Sequence, residues 1–324
     1  MRSSILSAAL VAAVSLTAAE TARAQEFPTQ PIKLIVAFGP GGGSDIASRI
    51  IAEAMQKKLG QPMVVENKPG AGGTIGNEFV ARAAPDGYTI GIMTAGQIIA
   101  AVMNKSLRYD TRTAFEPIGA VGTAGLIMVT RADYPSSDVK QLVTAAKANP
   151  GKISFASPGF GATQHMSAEL FKQTASIDML HVPFKTTPEA VTAILGKQVD
   201  VLFDTIPAVL GQVQGGQMKA LAVTGKDRYP GLPNVPAAAE SGVLPGYDVT
   251  TWYGFFGPKG MPPAIIARLN KAFNEVLDDP DVKGRLTKTA IVVKGSTPAE
   301  FGKFMAGELD KWEAVRVKAN IPQR

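Results

Sequence analysis

Residues 32–45 read IKLIVAFGPGGGSD. Ile32 to Phe38 is an apolar run with the length and composition of a buried strand. It breaks into a glycine turn. Apolar residues then recur at helical spacing, Ile46, Ile50, Ile51, Ala54, Met55 and Leu59, until Gly60 ends the pattern. Ser44 or Asp45 is placed to cap that helix. The stretch is built like a phosphate cradle but lacks its parts. The turn holds no lysine and no GxGxxG, and the chain contains no GxxxxGK[ST].

The same rhythm continues. PMVVE (62–66) reads as a strand, the turn NKPGAGGTIG (67–76) leads into the helix-like NEFVARA, and YTIGIM (88–93) reads as a third strand. Further strands are expected at 126–130, 153–156, 180–184, 199–203 and 220–224. Helices are expected at 139–148, 163–174, 188–195 and 206–214. Alternation of this kind predicts an α/β fold with parallel strands and helices between them. Right-handed crossovers place the strand-to-helix loops on one edge, where ligands of such sheets bind. Residues 225–247, rich in Gly and Pro, read as a long surface connection. After them come an aromatic strand (251–257) and two amphipathic helices (263–277 and 298–319). This tail is expected to pack back on the first unit. The expected division is therefore 25–124 with 227–324 as a discontinuous first domain and 125–226 as a second, with a cleft between.

The chain has 324 residues and no cysteine. Arg2, the apolar stretch 5–19 and Ala22-Arg23-Ala24 form a signal-peptide pattern, cleaved after Ala24. Its apolar part is shorter than the about 20 residues a membrane span needs. Removing residues 1–24 leaves 31 basic and 26 acidic residues, a net +5 without a run of Lys or Arg. That balance suits solubility and a mild attraction for anions and does not read as nucleic-acid binding. Export without disulfides points to a bacterial periplasm. Histidine occurs only at 165 and 181, zinc-ligand spacing is absent, and no GxSxG is present. No catalytic residue, metal or cofactor is expected.

Two loops share a design. FGPGGGSD (38–45) and ASPGFGATQH (156–165) each follow a strand and open a helix. Glycine lets backbone approach a ligand, and the first helical turn offers free N–H groups with partial positive charge. Ser44, Ser157, Thr163 and Gln164 add neutral donors. Taken singly, each turn reads as a plain strand-to-helix joint; two at equivalent places point to a shared site for a carboxylate. Asp204, just past its strand, either caps a helix or accepts a ligand hydroxyl or ammonium. Thr94 has a similar place. His165 alone reads as a structural hydrogen-bonder, and Trp252, Tyr253 and Phe255 as core or hinge.

With these motifs in order, including HMSAELFKQ, HVPFK, GKQVDVLFDT and LPNVPAAAESGVLPGYDVTTWYGFFGPKGMP, nearly the whole mature chain resembles the Bug family, also called TctC. These are periplasmic substrate-binding proteins of tripartite tricarboxylate transporters. The resemblance implies a type II periplasmic-binding-protein fold of two α/β domains with a ligand cleft between them. It implies a monomer that closes on a small dicarboxylate or aromatic carboxylate and delivers it to membrane transporter subunits, or presents it to a two-component signalling receptor. It implies ligand contacts from Gly39, Gly41, Gly42, Gly43 and Ser44 and from Ser157, Gly159, Gly161, Ala162 and Thr163, with cleft roles for Asp204 and Thr205; Phe38, Asp45, Thr94, Gln164, His165 and Thr186 join them as candidate ligand contacts. The chain departs from the family where K-G-x-x-P is usual: it has Lys185-Thr186-Thr187-Pro188-Glu189 in the loop that faces the ligand's far end. Pro158 is also unusual and removes an amide.

Overall fold

A computed structural model describes residues 27–318 and Gln323. The expected signal peptide with its cleavage after Ala24, and Ala319 at the end of the last expected helix, lie outside the described residues. The chain begins as expected with β1 (Ile32–Val36), α1 (Gly43–Leu59), β2 (Met63–Asn67), α2 (Thr74–Ala81) and β3 (Thr89–Thr94). A helix not expected from sequence, α3 (Ala95–Met103), follows directly on β3. β1 lies between β2 and β3 and is parallel to both.

β4 (Phe115–Arg131) is 17 residues long, and sequence reading found only its second half. The first half, FEPIGAVGTAG, carries Pro117 and three glycines, which lower strand propensity. Tertiary pairing makes it a strand nonetheless. Bulges between Pro117 and Gly119, and between Ala120 and Gly122, absorb the irregular residues.

Beyond it lie α4 (Val139–Ala148), β5 (Ser154–Ser157), α5 (Thr163–Ala175), β6 (Leu180–Pro183), α6 (Thr187–Leu195), β7 (Val201–Thr205), α7 (Ile206–Gln214) and β8 (Met218–Val223). β5 is parallel to β6 and β7. The chain closes with β9 (Thr250–Pro258), α8 (Pro263–Asp278), α9 (Pro280–Lys288), β10 (Ile291–Val293) and α10 (Pro298–Lys318). Strand order is β2-β1-β3-β9-β4-β7-β5-β6, with β8 and β10 also paired to β4.

β4 joins the two halves. Phe115 to Gly125 pair antiparallel with β9, whereas Leu126 to Thr130 pair with β7. The return crossing, Val249–Thr250, is tied to this point: Thr224 N donates to Leu126 O (2.9 Å), Val249 N to Thr224 O (2.8 Å) and Thr224 Oγ1 to Val249 O (2.7 Å). The core divides at the same place. Ile32, Leu34 and Val36 pack with Ile51 and Met55 of α1 and with Leu269 and Phe273 of α8. On the other face Ile35 and Met93 pack with Phe256, Phe301 and Met305, so the tail helices do return to the first half. Phe155, Phe171 and Phe203 form a separate core, and Ala238, Leu244 and Tyr247 from the connection pack into it.

Gly254 lies under this tail: a Cβ there would strike the Phe301 ring of α10. Gly254→Val is expected to cost about 1–3 kcal/mol through overpacking. A urea titration followed by far-UV circular dichroism reads this as a lower midpoint; an unchanged midpoint would show that α10 does not rest on β9.

Candidate functional site

Five helices start at one cleft between the halves. Their N-cap residues are Gly42 (α1), Thr94 (α3), Ala162 (α5), Thr186 (α6) and Thr205 (α7). All follow strands whose ends lie on one edge, which is why the alternating β–α pattern gathers them. The Thr186 hydroxyl accepts from Glu189 N (3.3 Å), and Thr94 N donates to Gln97 Oε1 (2.6 Å). No side chain caps α1, α5 or α7. The expected caps Ser44 and Asp45 lie inside the first turn of α1, and Gly42 is the cap residue instead.

The cleft is lined by Phe38, Gly39, Gly42, Gly43, Ser44, Thr94, Thr163, Gln164, Thr186 and Thr205, all expected from sequence. Pro158, Thr187, Thr251 and Tyr253 join them. None of these residues carries a formal charge. Thr251 and Tyr253 share one face of β9, and their two-residue spacing in an otherwise aromatic strand was the available signal. Tyr253 Oη is fully buried beside Thr205 and has no hydrogen-bond partner of good geometry. Burial, and the Asp204 carboxylate near it, push its pKa up, so it is a phenol, a donor as well as an acceptor. The space left in the cleft is about 20 Å³.

Eight expected residues do not reach the cleft surface: Gly41, Asp45, Ser157, Gly159, Gly161, Ala162, His165 and Asp204. Two expected ligand-gripping amides are already engaged. Gly41 N donates to Asp45 Oδ2 (3.0 Å) and Gly161 N to His165 Nδ1 (3.1 Å). Asp45 also accepts from Arg49 Nε (2.9 Å) and Asn67 Nδ2 (3.0 Å). Burial opposes its ionisation, but these bonds hold its carboxyl below the ordinary range.

Asp204 neither caps a helix nor faces the cleft. Its carboxylate accepts from Thr187 Oγ1 (2.7 Å), Thr205 N (2.7 Å) and Gln164 Nε2 (3.2 Å), so it fixes three residues that do face the cleft. Full burial pushes its pKa up against the pull of those donors. Gln164, Thr187 and Thr205 stand at the starts of α5, α6 and α7, and the buried carboxylate ties these starts into one rigid wall.

The family described as tripartite tricarboxylate transporter family receptor, TctC, matches residues 47–321. The chain belongs to this family. Its fold is likewise that of a solved periplasmic binding protein, BugD, at 36% identity and a TM-score of 0.88, covering 92% of this chain and 100% of the other. MatC (Rpa3494) from Rhodopseudomonas palustris, solved with bound malate, is 33% identical with a TM-score of 0.84, covering 89% and 99%. R. palustris Rpa4515, solved with adipate, is 28% identical with a TM-score of 0.87, covering 92% and 99%. The fold is thus the two-domain α/β fold of the Bug/TctC periplasmic binding proteins. Among the described residues no helix is long and apolar enough to cross a membrane.

His165 faces a different space in this TctC-family chain, a mainly apolar groove of about 870 Å³ bordered by Ile99, Met103, Phe160, Leu170 and Trp312. Its ring stacks on His181 at 4.0 Å and lies tilted against Phe160 at 4.6 Å. His181 Nε2 bonds Ser157 Oγ (2.8 Å), and Glu169 Oε1 lies 3.7 Å from His165 Nε2. Burial, with Lys172 near, pushes His165 from 6.5 down to about 4. Burial and the neighbouring His165 push His181 down to about 4 as well. Unfolding therefore favours protonation. The stability held by the neutral pair is complete above pH 6.5 and is lost as pH falls toward about 4. The thermal midpoint is expected to drop across that window, and to drop less in His165→Asn, which keeps an acceptor for Gly161 N but cannot titrate. A drop of the same size in the variant would remove the histidine pair as its source.

Proposed function

We propose that this protein is an exported, periplasmic solute-binding protein that captures a small carboxylate between its two domains and delivers it to a tripartite tricarboxylate transporter. One observation carries the reading: three helix N-termini without side-chain caps meet at a cleft whose lining has no Lys or Arg. Free N–H groups at such ends, with the helix dipoles behind them, favour an anion by up to about 2 kcal/mol each when partly buried. A nucleotide phosphate calls for a countercharge and a metal; a carboxylate is satisfied by aligned amides and hydroxyls. Malate in MatC and adipate in Rpa4515 support the same ligand class.

The domains we propose are residues 27–124 with 250–318, and 126–249, hinged where β4 and the Val249–Thr250 crossing lie side by side. Binding makes or breaks no bond. It pulls the domains together, and the closed form is what the transporter reads.

Gly42 gives a clean test. A Cβ there meets nothing closer than Thr187 Oγ1 at 3.7 Å, so Gly42→Asp adds a charge at the α1 N-terminus without a clash at its Cβ. It is expected to weaken carboxylate binding at least tenfold, about 1.4 kcal/mol, in isothermal calorimetry. Unchanged affinity in the folded variant would take the α1 N-terminus out of the site.

A further inference from the structure

The two glycine loops are tied down by one device in two chemistries. In FGPGGGSD, Gly41 N donates to a carboxylate four residues on, Asp45 Oδ2 (3.0 Å). In ASPGFGATQH, Gly161 N donates to an imidazole four residues on, His165 Nδ1 (3.1 Å). Against the cost of burial, Asp45 is kept ionised by its bonds from Arg49 and Asn67. The histidine is different in kind. Its Nδ1 accepts only while the ring is neutral, because an imidazolium donates from both nitrogens.

The second histidine holds the other end of the same loop. Ser157 Oγ donates to Gly159 O (3.2 Å) and has a single hydrogen, so at 2.8 Å it accepts from His181 Nε2. The stacked pair thus fixes the loop at Ser157 and at Gly161. Pro158 lies between those anchors, Thr163 and Gln164 directly follow them, and all three line the cleft. The charges facing His165 oppose one another. Glu169 of α5, 3.7 Å from Nε2, favours a proton on the ring. Lys172 of the same helix, paired with Glu169 (3.1 Å) and with Asp178 (3.9 Å), opposes one, as a charge on the stacked His181 would. Phe155 of β5 stacks at 6.3 Å, and across the groove α3 and α10 present Ile99, Met103 and Trp312, none of them charged.

Resting on the carboxylate reading above, we propose that His165 and His181 are positioning residues for the ligand, and that His165 makes the second glycine loop, but not the first, let go in acid. A proton taken up at Nδ1 removes the acceptor of Gly161 N and leaves a donor facing a donor. The loop loses its anchor at Gly161, and the residues that line the cleft on either side of it lose their fixed places. Burial, with Lys172 near, sets this uptake at about pH 4. Affinity that depends on the neutral ring is therefore full at neutral pH and falls as pH drops through that value.

The test is calorimetry with malate and with adipate on the unaltered protein, His165→Asn and His165→Phe, at neutral pH and at about pH 3.5, just below the uptake. Asparagine carries its oxygen on Cγ, where histidine carries Nδ1, and does not titrate. Phenylalanine keeps a ring in the stack and has no acceptor. Protonation of the ligand itself is common to all three proteins and cancels in their ratios. At neutral pH His165→Phe is expected to bind about fivefold or more weakly than the unaltered protein, the worth of one hydrogen bond, with His165→Asn between the two. On acidification the unaltered protein is expected to lose about threefold or more affinity beyond what His165→Asn loses. Amide spectra of isotope-labelled protein over the same range are expected to show Gly161 moving with the His165 ring and Gly41 moving less. Three results overturn the inference while the carboxylate reading stands: Gly161 does not follow the ring, His165→Phe binds as tightly as the unaltered protein, or the unaltered protein and His165→Asn lose affinity equally. The last comparison decides alone where His165→Phe fails to fold. If neither acid binds at neutral pH, the carboxylate reading falls and the inference with it.

Discussion

At several points the first domain meets the second with glycine backbone rather than side chains. Gly39 meets Thr186, Gly43 meets Thr205, Gly72 meets Phe160 O, and Gly96 meets Thr163. At each point a single added carbon would sit closer than van der Waals contact allows. At these points bare glycine backbone packs against the opposite wall with no room for a side chain. Because protein contacts resist compression, these contacts define a closed state rather than a continuum of partly closed ones.

The same closeness explains how an uncharged site can hold an anion. A charged side chain at such contacts would need room, and a partner whenever the cleft stood empty. Helix N-termini need neither. Their N–H groups belong to the backbone that already forms the wall, and they cost no reorganisation when a ligand arrives. Asp204 shows the price of keeping the wall rigid: a wholly buried carboxylate, pushed toward its neutral form, held by donors from three successive helix starts. The carboxyl lies behind the wall, outside the cleft lining.

Much of this was legible along the chain. The β–α alternation placed the strand-to-helix loops on one edge, and the α4 and α7 ranges followed from apolar spacing alone. FGPGGGSD and ASPGFGATQH were read as two faces of one site because each joins a strand to a helix with glycine. What the sequence hid were features that local propensity opposes. The first half of β4 is rich in glycine and proline, and only pairing with β9 makes it extended. Tyr253 looked like core because its neighbours Trp252 and Phe255 are core. Nor could the sequence show that Gly41 N, Gly161 N and the Asp204 carboxylate are already engaged by Asp45, His165, Thr187 and Gln164.

By itself the sequence determined the architecture and the class of site. Hydrophobic period and glycine turns are local properties, and they fix which segments are strands, which are helices and where helix N-termini stand. It determined equally that neither loop contains a lysine or arginine. Only the tertiary structure decided which amides remain free, that Asp204 is a tie within the wall, and that the Thr186 methyl lies over Gly39. Those are questions of distance between atoms some 150 residues apart in sequence. Spacing along a chain carries no information at the scale of one methyl group, where van der Waals contact decides what fits.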